Sequence, residues 1–279
     1  MGTADLVPGV SGGTIALVLG IYERLVASIK EGSSSLGYLL RLDVDRFKEH
    51  WGRIEWLFLV PLFVGILTAV AVLASFIENQ IEARPTIVAG LFFGLVVGSI
   101  GIAWRLIKQP AGRSYLIAGA VGLALFALLG LGEGEAATDP SSVAFLVAGA
   151  LAVCAMILPG ISGSLILLML GMYAPVLAAV SDRDFGTVGL VALGAVIGLA
   201  LFSQLLYWAL ENHHDPVLAG LIGLMLGSTR ILWPWPEGVE SAELGAPGDD
   251  WALVLAVAVI GGLAVSVIAK LAPDEADLS

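Results

Sequence analysis

Apolar residues run along this chain in long blocks. They cover 6–22, 56–77, 86–104, 114–132, 142–158, 161–180, 187–210, 216–233 and 251–269, separated by stretches rich in Gly, Ser, Pro and charge. A helix on the surface of a soluble protein needs a polar outer face, which these blocks lack. A run of about 20 apolar residues is what a membrane-spanning helix requires. The pattern predicts an all-α, polytopic membrane protein forming a single integral membrane domain. All seven tryptophans (Trp51, Trp56, Trp104, Trp208, Trp233, Trp235 and Trp251) fall at or near block ends, where an interfacial aromatic belt belongs.

Composition agrees with the pattern: 58% of residues are hydrophobic and 13% charged. The net charge of −11 argues against a nucleic-acid partner, and its acids sit in a few loops. The single cysteine, Cys154, excludes a disulfide framework and a cysteine-based metal site. His213 and His214 share a short turn with Glu211 and Asp215, without the further His or Cys that a metal site needs. The reading is of no metal and no cofactor. The N-terminus has no basic leader and enters a motif at once.

Lys and Arg set the orientation. The polar loop 23–55 carries Arg24, Lys30, Arg41, Arg46, Lys48 and Arg53 and is read as cytoplasmic. The turn with Arg105, Lys108 and Arg113 and the end at Lys270 fall on the same side. The turn with Glu133, Glu135 and Asp139 and the loop with Glu237, Glu240, Glu243, Asp249 and Asp250 fall outside. Arg183, on a loop read as outer, runs against the rule.

The chain repeats itself. Residues 6–22 read LVPGVSGGTIALVLGIY and residues 157–173 read ILPGISGSLILLMLGMY, identical at nine of seventeen positions. A second pair, AGLFFGLVVGS at 89–99 and AGLIGLMLGS at 219–228, extends the likeness over a whole half. Residues 1–132 form a first repeat and 142–271 a second. If 142–158 and 161–180 re-enter as a pair, the loop after the second motif is outside while that after the first is inside. The two repeats then have inverted topology, the arrangement of many secondary transporters, whose sites lie at the repeat interface near the midplane.

Each motif is a Pro-Gly-x-Ser-Gly break. Pro8 with Gly9, and Pro159 with Gly160, interrupt the helix, because Pro lacks the N–H donor and Gly permits unusual backbone angles. Such breaks persist at membrane depth only where protein or a wet cavity satisfies the freed groups. Residues 10–22 are too few for a span and suit a re-entrant half-helix. A half-helix N-terminus exposes backbone N–H groups and the positive end of the helix dipole, which together attract anions. Ser11, Gly12, Gly13 and Thr14 in the first motif, and Ser162, Gly163 and Ser164 in the second, are the candidate phosphate-binding residues. The same glycines also suit tight helix packing, and the serines suit helix capping.

Several ionisable residues flank the motifs. Asp5, whose repeat counterpart is Met156, is a candidate for carrying a coupling proton or holding an arginine. Glu23 and Arg24 read either as a gate pair or as the solvated end of the half-helix. Arg230, after Gly227-Ser228-Thr229, reads as a phosphate partner or as a side chain snorkelling to the interface.

The run MGTADLVPGVSGGTIALVLGIYERL resembles the opening signature of the bacterial and archaeal polyprenyl-phosphate translocases, and LPGISGSLILLMLGMY and GLMLGSTRILWPW resemble its later ones. That resemblance implies a carrier of undecaprenyl phosphate in the cytoplasmic membrane, moving it from outer to inner leaflet for recycling. Its partners are then the lipid-linked phosphate, membrane lipids and a coupling proton or sodium ion. Members of that family carry an apolar segment ahead of the first motif; here four residues precede Asp5, which reads as a shortened N-terminus. Two other readings stand beside it: a membrane polyprenyl-diphosphate phosphatase, and an ion-coupled carrier of a small soluble anion. The phosphatase needs an arginine in the motif and clustered glutamates, where this sequence has Gly and Ser.

Overall fold

The computed structural model describes residues 1–7, 10–132, 134–236, 238–239 and 243–271. Among these the regular structure is helical throughout. Residues 1–132 contain α1 (Gly2–Asp5), α2 (Gly12–Val18), α3 (Tyr22–Leu40), α4 (Val44–Arg53), α5 (Trp56–Ala83), α6 (Pro85–Ala103) and α7 (Gly112–Leu129). Residues 142–271 contain α8 (Ser142–Ile157), α9 (Gly163–Met169), α10 (Tyr173–Ser181), α11 (Phe185–Asn212), α12 (His214–Ser228) and α13 (Trp251–Leu271).

Five helices are long and apolar enough to cross a membrane: α5, α6 with its 3-10 extension to Leu106, α7, α11 and α13. The block at 161–180 divides into α9 and α10, which meet at a bend of 113°. The first block divides likewise, with α2 beginning only at Gly12. One solvent preference is written on the surface. Helix α5 buries none of its residues and turns Leu57, Phe63, Val72 and Phe76 outward. Apolar exposure on that scale fits a helix whose solvent is lipid.

The stretch 23–55 is a pair of helices and not the loop its polarity suggests. Helix α3 buries Val26, Ser28 and Ser35 and packs on α11. Asp43 caps α4 by accepting from the Arg46 N–H at 3.1 Å. His50 of α4 then bonds Glu31 at 2.6 Å and stacks on Tyr38, tying α4 back to α3. Burial of one face and a capping aspartate outweigh the low average hydropathy that hides these helices in the sequence.

Helices α6 and α12, which carry the second repeated sequence, stand in the core with Val88, Ala89, Phe92 and Val96 beside Leu218, Ala219, Ile222 and Met225. Each packs against the last helix of the other half, α6 on α13 and α12 on α7. Small residues set these approaches. A Cβ added at Gly94 would run into the Ala258 carbonyl, and one added at Gly223 would lie 2.7 Å from the Ala118 carbonyl. In lipid there is no hydrophobic driving force between helices, so such close backbone contact is a main source of association. Helix α8 packs on α11 by the same means, with Gly149 against Val191 and Gly194 against Leu146. Helix α1 packs on α5 in the matching place, Gly2 lying against Ile66.

Candidate functional site

The two motifs share one local backbone design. Ser11 and Ser162 are both extended N-cap residues whose hydroxyls accept a backbone N–H, from Gly13 at 3.0 Å and from Leu165 at 3.2 Å. Each cap contributes about 0.5–2 kcal/mol to its half-helix. Both half-helices end on a left-handed glycine, Gly20 at φ +70° and Gly171 at φ +66°, a conformation that costs other residues about 1–2 kcal/mol. The serines that the sequence offers as ligand donors therefore act as caps in this structure. Pro8 and Gly9 lie outside the described residues.

The two breaks touch. Helix α8 ends at Ile157, so its last carbonyls need partners from elsewhere. The Ser11 hydroxyl donates to the Met156 carbonyl at 3.3 Å, and the buried Tyr22 hydroxyl donates to the Ile157 carbonyl at 3.3 Å. In the other direction the Gly160 N–H donates to the Thr14 hydroxyl at 3.0 Å. The first motif thus completes the hydrogen bonding of the second. A Cβ at Gly13 would lie 2.7 Å from the Ile157 carbonyl oxygen, so that position needs the room a glycine leaves. Gly160, at φ +85°, lies against the end of α12, where a Cβ would come within 2.8 Å of the Met225 Cα. Pro159 is buried beside it.

Asp5 does not hold an arginine. Its carboxylate accepts the Gly12 N–H at 2.6 Å, at the positive end of α2. A Cβ at Gly12 would lie 2.6 Å from the same carboxylate, so the glycine makes room for Asp5. An anion thus already occupies the site that the first motif offers, and it belongs to the chain. Ser11 and Thr14 are buried at 2% and 0% exposure, whereas Ser162 is half-buried and Ser164 exposed. The Ser162 and Ser164 hydroxyls lie 3.0 Å apart over the buried Gly163. The first half of the candidate site is closed and the second is accessible.

Arg230 follows the buried Ser228 at the end of α12, and its guanidinium lies over the Phe126 ring at 4.9 Å. Glu23 and Arg24 take separate partners. Arg24 bonds Glu55 at 2.6 Å and covers the Phe58 ring, facing α5. Glu23 reaches His214 at 2.9 Å, joining the start of α3 to the start of α12. Asp215 accepts from the backbone N–H groups of Lys108 and Gln109 at 3.0 and 2.9 Å. Its bond to His214, helped by those N–H donors, holds its carboxyl below the usual range. Among the described residues no three His, Cys, Asp or Glu side chains come together as metal ligands.

Sequence reasoning missed the Glu23–His214 pair and the capping role of Asp5. No local pattern marks partners 191 residues apart. Tyr22 did carry a signal, since Tyr173 repeats it.

Comparison with known proteins bears on what the site is for. A family model described as undecaprenyl phosphate translocase-like matches residues 1–246. A Vibrio cholerae protein named polyprenyl-phosphate transporter is 42% identical over 245 residues, covering 85% of this chain and 76% of that protein. A Staphylococcus aureus protein of the same name is 30% identical over 250 residues, covering 84% of this chain and 83% of its own length. No solved structure gives a significant match. With the match running through both Pro-Gly-x-Ser-Gly breaks, the chain belongs to the undecaprenyl phosphate translocase-like family of membrane transporters.

Proposed function

We propose that this protein carries polyprenyl phosphate, of the undecaprenyl class, across the cytoplasmic membrane from the outer to the inner leaflet. The observation that carries this reading is the direct contact of the two breaks, Thr14 to Gly160, in a chain of this family. Residues 1–132 and 142–271 act as inverted repeats with re-entrant half-helices α2 and α9, the start of α2 lying against the end of α8 and the Gly160 turn that leads into α9. The matching caps at Ser11 and Ser162 and the matching ends at Gly20 and Gly171 support the repeat. The 113° bend between α9 and α10 supports the re-entrance.

In this scheme the phosphate binds between Ser11, Gly12, Gly13 and Thr14 on one side and Ser162, Gly163 and Ser164 on the other, with Arg230 at the edge. The Asp5 carboxylate and the phosphate compete for the Gly12 N–H, because both are anions suited to a helix N-terminus. Protonation of Asp5 removes its charge and releases that donor to the phosphate. A proton is therefore the coupling ion that the geometry favours over sodium. Glu23 and Arg24, bonded to different helices, restrain the inner end of α2 and act in gating.

The test is leaflet transfer of a fluorescent polyprenyl phosphate in liposomes. The protein accelerates transfer, and Ser11→Ala combined with Ser162→Ala slows it at least tenfold. Unchanged transfer in the double variant would sink the two-half-helix site.

A further inference from the structure

We propose a second phosphate site, a vestibule at the cytoplasmic end of α2 that takes a phosphate monoester bearing an aliphatic chain; this rests on the transport reading above. A cavity of about 700 Å³ opens there, at the end of α2 opposite to the motif contact. Seven helical residues separate the two places, about 10 Å of rise. Three cations from separate segments line it: Arg105 and Lys108 in the turn after α6, and Lys270 at the end of α13. Among the described residues none of the three has a carboxylate within ion-pair distance. The one acid in the lining, Glu23, is engaged by His214.

The turn that carries Lys108 is held in place by the fold. Asp215 binds the backbone N–H groups of Lys108 and Gln109, which pins the turn to the start of α12. The Glu23–His214 bond closes the side of the cavity between α3 and α12. The rest of the wall is mainly aliphatic, with Leu17, Val18, Leu19, Ile102 and Leu106 beside Tyr22 and Ser266. A phosphate monoester carries a charge of about −1.5 to −2 at neutral pH, which three cations facing one engaged acid can balance. The aliphatic wall suits the first units of a prenyl chain and offers nothing to a free anion.

The equivalent place in the second repeat is filled. A Cβ added at Gly20 would meet nothing within 4 Å, whereas one at Gly171 would run into the Glu135 carbonyl. There the segment after α7 lies over the bend, with Gly134 N–H bonded to the Leu168 carbonyl at 3.2 Å and Ala137 N–H to the Gly171 carbonyl at 2.9 Å. Among the described residues the place after the half-helix is therefore open at Gly20 and covered at Gly171, and the open one is on the side where Lys and Arg place the cytoplasm. It is where a headgroup delivered past the motifs arrives.

The experiment is equilibrium binding to the purified full chain in detergent, with farnesyl phosphate, inorganic phosphate and farnesol as probes. It is run in the parent and in a Ser11→Ala, Ser162→Ala background, where the motif site is weakened. Arg105→Gln with Lys108→Gln and Lys270→Gln is expected to raise the Kd for farnesyl phosphate at least tenfold in both backgrounds, leaving farnesol unchanged. Lys108→Arg with Lys270→Arg, which keeps the charge, is expected to stay within twofold of the parent. Inorganic phosphate is expected to bind at least tenfold more weakly than farnesyl phosphate, and equal binding of the two would overturn the lipid assignment. Unchanged farnesyl phosphate affinity in the triple variant would overturn the vestibule. That result leaves the transport reading standing if the serine double variant still loses leaflet transfer.

Discussion

The hydroxyl of Thr14 accepts the backbone N–H of Gly160 at 3.0 Å, joining two helix breaks that lie 146 residues apart in the chain. Thr14 is fully buried, so the bond has no water to replace it. Leaving a buried donor unpaired costs about 1–3 kcal/mol. Thr14→Val is expected to lower the midpoint of thermal unfolding in detergent and to slow leaflet transfer. Thr14→Ser, which keeps the oxygen, is expected to stay close to the parent in both. Equal behaviour of the two variants would refute the role given to this bond.

Asp5 is placed to do two separable things. As a cap for Gly12 it needs only an acceptor oxygen; as a proton carrier it needs a titratable group. Asp5→Asn keeps the acceptor, so its thermal midpoint is expected to match the parent while pH-gradient-dependent transfer falls at least tenfold. Asp5→Ala loses the acceptor as well, with a further loss of about 0.5–2 kcal/mol of stability. Retained gradient dependence in Asp5→Asn would remove Asp5 from the coupling mechanism.

Gly20 and Gly171 have the same backbone conformation and different surroundings. Alanine at either position incurs the left-handed strain, about 1–2 kcal/mol. Only at Gly171 does the new methyl also meet a backbone carbonyl, that of Glu135. Gly171→Ala is therefore expected to unfold at a lower temperature than Gly20→Ala. The reverse order would contradict the packing of the 134–137 segment over the bend.

The seam between α6 and α13 gives a similar contrast. Gly94 faces the Ala258 carbonyl, whereas a Cβ at Gly101 on the same helix would meet nothing within 4 Å. Gly94→Ala is expected to destabilise by about 1–3 kcal/mol, the usual range for overpacking. Gly101→Ala is expected to be neutral or mildly stabilising, since alanine is the better helix former by about 1 kcal/mol. Thermal unfolding of the two variants in the same detergent decides it.

Asp250 anchors the loop after α12. Its carboxylate accepts the Thr86 hydroxyl at 2.7 Å and the Trp235 indole N–H at 3.1 Å, and these two bonds hold its pKa below the usual range. A carboxyl whose pKa is depressed by folding stabilises above its unfolded pKa and loses that contribution as pH falls through the folded value. The loop is expected to be indifferent to pH near neutrality and to loosen only below about pH 4, the ordinary aspartate value. Trp235 fluorescence should follow that transition in the parent, and Asp250→Asn should remove it.

The apolar blocks, the break at Pro159-Gly160 and the helix starts at Ser11 and Ser162 were legible without coordinates. Each is a property of neighbouring residues: block length, a missing N–H, a hydroxyl next to a helix start. The match at Gly20 and Gly171 belongs with them, because the Leu-x-Leu-Gly-x-Tyr pattern common to 17–22 and 168–173 takes nearly the same backbone at its glycine. Helices α3 and α4 were hidden, since their stability comes from a face buried on α11 and from the His50–Glu31 contact. Three relations were decided only by the tertiary structure: that the two breaks touch, that Asp5 fills the end of α2, and that Glu23 meets His214 beside a basic cavity. Two of these join residues more than a hundred positions apart, and the third depends on how the chain turns back on itself before α2. Such contacts arise from the packing of whole helices, which no local pattern of side chains specifies.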